Sequence, residues 1–441
     1  MSRRLALPLP FLLAGLLVGC SSWYGETEEP PLPGERESVL LIDAGLAPDP
    51  GIASLPIVLP APEANPVWPE AMGNARHQLG HVALADDIAE AWRADVGAGD
   101  AGQRRILSQP VAGRDAVFAM DANGAVTAFG TGDGERLWRA DPGGDADADR
   151  LRAGGLALGD GLLYVTTGSG EVVALDASSG AERWRQGLLA PIRTAPTVAE
   201  GRVLVTTSGN QTFALDAGSG AVLWQQAGLA EQTAILGGAS PAEDNGLVVA
   251  ALSSGEVFGL DLTTGGPVWT DTVVRPRRTL ASGAINDITG DPVIAGDQVV
   301  VAGNGGEMVG MRAADGQRLW EIDLTSANTP WVAGGFAYVL TDRNELVAVI
   351  LDGGRVRWVS PLQRLRDPKD SNSSRVFWTG PILAGDRLVL ASSDGEAVSV
   401  SPYTGEVLGR IKLPGGVSVP PLVAGGTLYF LTDGGDLVAY R

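Results

Sequence analysis

The chain has 441 residues and a formal net charge of −20, which excludes nucleic acid and anionic lipid as principal partners because both would repel it. Its 61 glycines and 28 prolines beside a hydrophobic share of 44% describe a turn-rich chain that still has apolar surface for a large core, so disorder is excluded for most of it. One cysteine excludes a disulfide framework, and two histidines leave little for a multi-histidine metal site.

The first element is a leader. Arg3 and Arg4 precede an apolar run over 5–19 that Pro8 and Pro10 interrupt, which is too short and broken to span a bilayer and reads as a secretory signal. It ends in Leu17-Val18-Gly19-Cys20, which resembles a bacterial lipobox. Cys20 would carry a diacylglyceryl group, with palmitate as an acyl chain, and become the mature N-terminus. Ser21 and Ser22, with no Asp at the second position, predict export to the outer membrane and a lipid-anchored domain facing the periplasm. Residues 20–69, dense in Pro and acidic side chains, are expected to form an extended, mostly disordered tether, and 70–87 a lead-in segment. His77 and His81 lie four apart in that lead-in, but Gly80 between them and the absence of a nearby third ligand favour packing at the entry to the first repeat over metal binding.

From 88 to 441 the chain repeats itself. YVTTGSGEVVALDASSGAERW, LVTTSGNQTFALDAGSGAVLW and VAALSSGEVFGLDLTTGGPVW each hold two alternating strands, a turn opened by Leu-Asp and closed by Gly, and a short strand closed by Trp. With the strand before it, such a unit has four strands. The closing residues are Trp92, Trp138, Trp184, Trp224, Trp269, Trp320 and Trp358, at the spacing of propeller blades, and the eighth position falls at Gly409. Three strands after Gly409 and one strand before the first repeat complement each other. The prediction is an all-β, eight-bladed β-propeller of four-stranded blades, closed by pairing N- and C-terminal strands. Asp176, Asp216 and Asp261 are expected to accept backbone hydrogen bonds in the turns, Gly180, Gly220 and Gly265 to supply positive φ, and the tryptophans to pack between blades.

Repeats of the form Ala-Leu-Asp-x-x-x-Gly-x-x-x-Trp resemble the tryptophan-docking repeats of quinoprotein propellers. Lipobox, acidic tether and eight such blades together resemble the BamB family, the lipoprotein subunits of the machinery that folds outer-membrane β-barrels. That resemblance implies a non-catalytic scaffold, without a cofactor, that binds a BamA-like subunit and assists folding and insertion of outer-membrane proteins. Nascent outer-membrane proteins are a further partner it implies, with the membrane reached through the lipid anchor only. Two inter-blade loops would carry the docking. Their counterparts here are Leu189-Ala190-Pro191-Ile192-Arg193, of which Ile192 and Arg193 match, and Asn286-Asp287-Ile288-Thr289, of which Asp287 matches. The first loop is shorter than the family form, and Thr289 stands where a second Asp is expected.

The connections over 270–291 and 359–377 are the longest, and both are net positive on an acidic chain. Arg275, Arg277 and Arg278 in the first, and Arg364, Arg366, Lys369 and Arg375 in the second, mark an electrostatically oriented docking face, with Trp331, Phe377 and Trp378 as candidate aromatic anchors. Two other readings stay open: an envelope propeller binding a small ligand or glycan in its central channel, and a degenerate quinoprotein. The acidic run Asp141, Asp145, Asp147 and Asp149 lacks the Gly and Glu offsets of a calcium loop and reads as a solvated loop.

Overall fold

In the computed structural model, residues 45–102, 104–143, 154–188, 190–231, 237–273 and 287–441 are described. Cys20, Arg277 and Arg278 lie outside the described residues, as do Arg275, Asn286, Leu189, Asp145, Asp147 and Asp149.

The repeat unit folds as its pattern dictates. In 197–227 the strands Thr197–Ala199, Arg202–Thr206, Gln211–Asp216 and Val222–Ala227 pair in sequence order as one antiparallel sheet. The middle strands are buried on both faces, while the outer one alternates exposed and covered. The same order recurs in 111–140, 156–187, 242–272, 293–322, 331–361 and 378–412, numbered here as blades 1, 2, 4, 5, 6 and 7 around blade 3. Blade 8 joins the ends of the ring: strand Glu90–Asp95 pairs with Asp436–Tyr440, which continues through Thr427–Leu431 to Leu422–Ala424. The strand at the inner end of each sheet, Leu422–Ala424 in blade 8, lines the axis.

The turn chemistry follows. Asp176 Oδ1 accepts from the Ser178 and Ser179 amides at 3.1 Å, Asp216 Oδ1 from Ser219 at 2.8 Å, and Asp261 Oδ1 from Thr264 at 2.8 Å. Gly180, Gly220 and Gly265 have φ of 72°, 75° and 71°. Each such glycine receives the closing tryptophan of the preceding blade. A Cβ on Gly220 would sit 2.5 Å from the Trp184 ring, one on Gly180 2.7 Å from Trp138, and one on Gly405 2.7 Å from Trp358. The indole N–H then crosses to the next blade, from Trp138 to Ala177 O, Trp184 to Ala217 O and Trp224 to Leu262 O at 2.8–2.9 Å. Trp320 differs, reaching Gln298 Oε1 at 3.4 Å.

The expected tether is shorter than 20–69 at its described end. The compact unit begins at Leu46, and Ile52, Ile57 and Trp68 are buried in it. Apolar side chains set among prolines account for this: the prolines keep the backbone extended while Trp68 stacks on Trp331, ring centroids 6.1 Å apart.

From residue 63 to 85 the chain becomes a strap beneath the axial strands. Trp68 exchanges two backbone bonds with Ala112 of blade 1, and Pro69 O accepts from Leu158 of blade 2. Ala75 O accepts from Glu243 of blade 4, and Arg76 O from Ile294 of blade 5. Gly80 O accepts from the Trp331 indole of blade 6, Val82 brackets Leu383 and Gly385 of blade 7, and Asn65 holds Val423 and Gly425 of blade 8. Glu70 meets the Val198 backbone of blade 3, so the strap touches every blade. The two histidines belong to it and pack elsewhere than the first blade. His77 Nδ1 bonds Pro292 O in front of blade 5, while His81 bonds Pro60 O through Nδ1 and accepts the Asp386 amide of blade 7 at Nε2.

Candidate docking face and central cup

Each closing strand hands the chain to the next axial strand across one face. The connection into blade 3 is anchored by Ile192, which is fully buried among Leu188, Tyr164, Val203 and Val205 and forms a backbone bridge to Thr207. Ile192 is therefore a core residue in the folded chain, and the candidate contact it was read as is covered. The same anchor presents Arg193 half-buried at the surface, followed by the buried Thr194, whose hydroxyl donates to Thr206 O.

Asp287, in the connection into blade 5, is 2% exposed, with its carbonyl taking the Asn304 amide at 3.0 Å. Thr289, which stands where a second Asp was expected, accepts from Asn304 Nδ2 and donates to Ala327 O, both at 3.1 Å. Arg193 and Asp287 line one small cleft of about 30 Å³, with Gly237 and Gly238 of the intervening connection between them. Asn210, in the left-handed region at φ 56°, ties its wall together by bonding Ser253 and Leu229 O. The fold thus brings Arg193 and Asp287 together, although 94 positions of chain separate them.

Across the face, 362–377 forms an ordered hairpin. Leu365 bridges Arg375, Arg366 N donates to Ser374 O, and Asp367, Asp370 and Ser373 close the tip. Asn344 Nδ2 clamps its base through Gln363 O and Val376 O. Of the three aromatic candidates, Trp331 and Trp378 are buried, and Phe377 is 66% exposed.

Between these loops the axial strands enclose a cup of about 590 Å³, with Ala71 and Met72 of the strap among its lining residues. Gln109 holds that end, accepting the Met72 amide and donating to Pro420 O and Pro421 O. Met72 takes φ 54°, a conformation a non-glycine residue adopts only under constraint. Sequence reading missed this floor, because no local motif marks a segment whose partners come from eight blades. Among the described residues, no group of three or more His, Cys, Asp and Glu is placed to hold a metal.

The family model described as outer membrane protein assembly factor BamB matches residues 122–360 and 364–441, well over half of the chain. The chain belongs to the BamB family. A BamB of Alkalilimnicola ehrlichii is 30% identical over 197 residues, which cover 34% of this chain and 50% of that protein. One of Legionella pneumophila is 28% identical over 151 residues, 34% of this chain and 37% of that protein. The chain thus spans half or less of the curated relatives it matches. Among solved structures, BamB from Moraxella catarrhalis superposes with a TM-score of 0.68 at 22% identity, over 80% of this chain and all of that one. A quinohemoprotein alcohol dehydrogenase from Comamonas testosteroni superposes with a TM-score of 0.66 at 16% identity, over 85% and 80%. These likenesses carry the eight-bladed fold, which assembly factors and dehydrogenases share, so the fold alone does not separate scaffold from enzyme.

Proposed function

We propose that this chain is a non-catalytic scaffold lipoprotein of the outer-membrane β-barrel assembly machinery, binding a BamA-type subunit through the connections into blades 3 and 5. On this reading 1–19 is the signal peptide, Cys20 carries the lipid, and the domain faces the periplasm from the outer membrane. The observation that carries it is the shared cleft of Arg193 and Asp287, two residues that the family resemblance singled out independently of each other. Membership of the BamB family supports the assembly role. Arg193 supplies the half-buried charge that reaches the surface; Ile192 and Asp287, both buried, hold the loops that present it. Arg277 and Arg278 complete the proposed set from the connection into blade 5. A quinoprotein reading is less favoured, because the vicinal disulfide of those enzymes needs two cysteines and the sequence holds Cys20 alone.

The test is co-purification of the detergent-solubilised lipoprotein, with mass spectrometry of its partners, for wild type, Arg193→Glu and Arg183→Glu. Arg183 lies on an outer strand paired with Asp176 and serves as the control. Recovery of a BamA-type subunit with wild type and the control, reduced at least tenfold with Arg193→Glu, is the expected result. Absence of that subunit from the wild-type preparation would remove the proposal.

A further inference from the structure

The cup is a larger feature than the cleft, and the docking reading uses one of its lining residues, Arg193, while leaving the rest unassigned. Its volume of about 590 Å³ lies in the range of ligand sites, about 300–1,000 Å³, and the strap lines it, so it is a pocket with a built floor. Its charged groups are unevenly committed. Asp291 accepts the Ser240 amide at 2.6 Å and the Thr329 hydroxyl at 3.2 Å, and Asp342 has an interaction of its own. The two lining arginines, Arg193 and Arg375, make no ion pair among the described residues.

Position sharpens the point. Arg193 precedes blade 3 and Arg375 precedes blade 7, and in a ring of eight these blades face each other across the axis. The backbone beside each guanidinium is pinned, through the Ile192–Thr207 and Leu365–Arg375 bridges, so the cost of ordering on binding falls on the two side chains. Beside Arg375 stands Phe377, 66% exposed, its own backbone held by Ser393 on both sides. The hairpin carrying both is net positive on a chain of net charge −20.

We infer that this cup binds an extended acidic polypeptide segment, with carboxylates held by Arg193 and Arg375 at opposite poles and an apolar side chain against Phe377. Guanidinium pairs with carboxylate in a planar, two-bond geometry, and the Asn328 side-chain amide in the wall can serve the backbone of an extended chain. The volume is too large for a lone carboxylate and suits several residues.

The test uses fluorescence anisotropy on the detergent-solubilised full chain with a fluorescein-labelled Glu-Glu-Phe-Glu peptide, its Gln-Gln-Phe-Gln counterpart, and unlabelled citrate as competitor. The acidic peptide is expected to bind at least tenfold more tightly than the amide peptide, and added salt to weaken it. Arg375→Gln is expected to lose at least tenfold in affinity with an unchanged melting temperature. Arg183→Gln, whose arginine is held by Asp176 on an outer strand and does not line the cup, is expected to bind as wild type does. Equal binding of the two peptides, or undiminished binding by Arg375→Gln, would overturn the inference. Citrate displacing the peptide at equal concentration would overturn the assignment to polypeptide, leaving a small-carboxylate pocket.

Discussion

A glycine and a tryptophan set the spacing of the ring. Gly220 is required twice, once by its φ of 75° and once by the Trp184 ring 2.5 Å from where a Cβ would stand. Gly220→Ala is expected to destabilise the chain by about 2–4 kcal/mol, the sum of a left-handed backbone cost and overpacking, read by urea unfolding. The eighth repeat lacks its tryptophan for a reason the ring supplies. Trp358 docks on Gly405, but a tryptophan at 409 would face blade 8, whose outer strand is the N-terminal Glu90–Asp95 and is not joined to Asp436–Tyr440 by a turn. Nothing there would receive it, and Val407–Lys412 is exposed along its whole length. Gly409→Trp is therefore expected to leave stability within about 0.5 kcal/mol of wild type, the range of surface substitutions. A marked gain would mean that blade 8 offers a seat after all.

At the scale of elements, the strap is the part the sequence hid. Blades were legible because each must solve the same local problem, so Asp, Gly and Trp recur at fixed offsets. Residues 45–85 were read as tether and lead-in because proline and acidic residues also mark disorder, and their partners are backbone groups of separate blades. Ile192 misled in the other direction: an apolar residue beside Arg193 looks like a contact until its bridge to Thr207 places it in the core. The strap also carries a buried carboxyl. Burial pushes Glu70 up to about 8, opposed by the Val198 backbone bond and reinforced by Glu243, whose own pKa burial also raises. The folded state holds this proton where the unfolded chain has lost it, so folding stability falls as pH rises from the ordinary carboxyl range towards 8. Glu70→Gln is expected to be more stable than wild type at pH 8.5 by more than about 1 kcal/mol, with the difference shrinking below pH 5. Parallel melting curves for the two proteins across that range would show Glu70 ionised in the fold.

The whole molecule is a closed circle, and its closure rests on the pairing of Glu90–Asp95 with Asp436–Tyr440, reinforced by Ala89 and Arg441 exchanging backbone bonds. Removing 436–441 leaves an open arc with two edge strands exposed. The truncated chain is expected to lose its single calorimetric transition and to aggregate, whereas an unchanged transition would mean the other seven blades stand without closure. The docking face belongs to this scale too, since Arg193 and Arg375 meet around one mouth only when the ring is complete. The sequence could name them one at a time, but which lie together is set by the order of blades.

The strap bears on timing. A ribosome makes residues 63–85 before any blade that will hold them, and the last of their partners, Val423 and Gly425, come with blade 8, Val423 standing 358 positions after the Asn65 that holds it. The floor of the cup therefore cannot settle while the chain is being made. It gains its last partners only with the eighth blade, so the floor is completed last, after the ring it closes beneath.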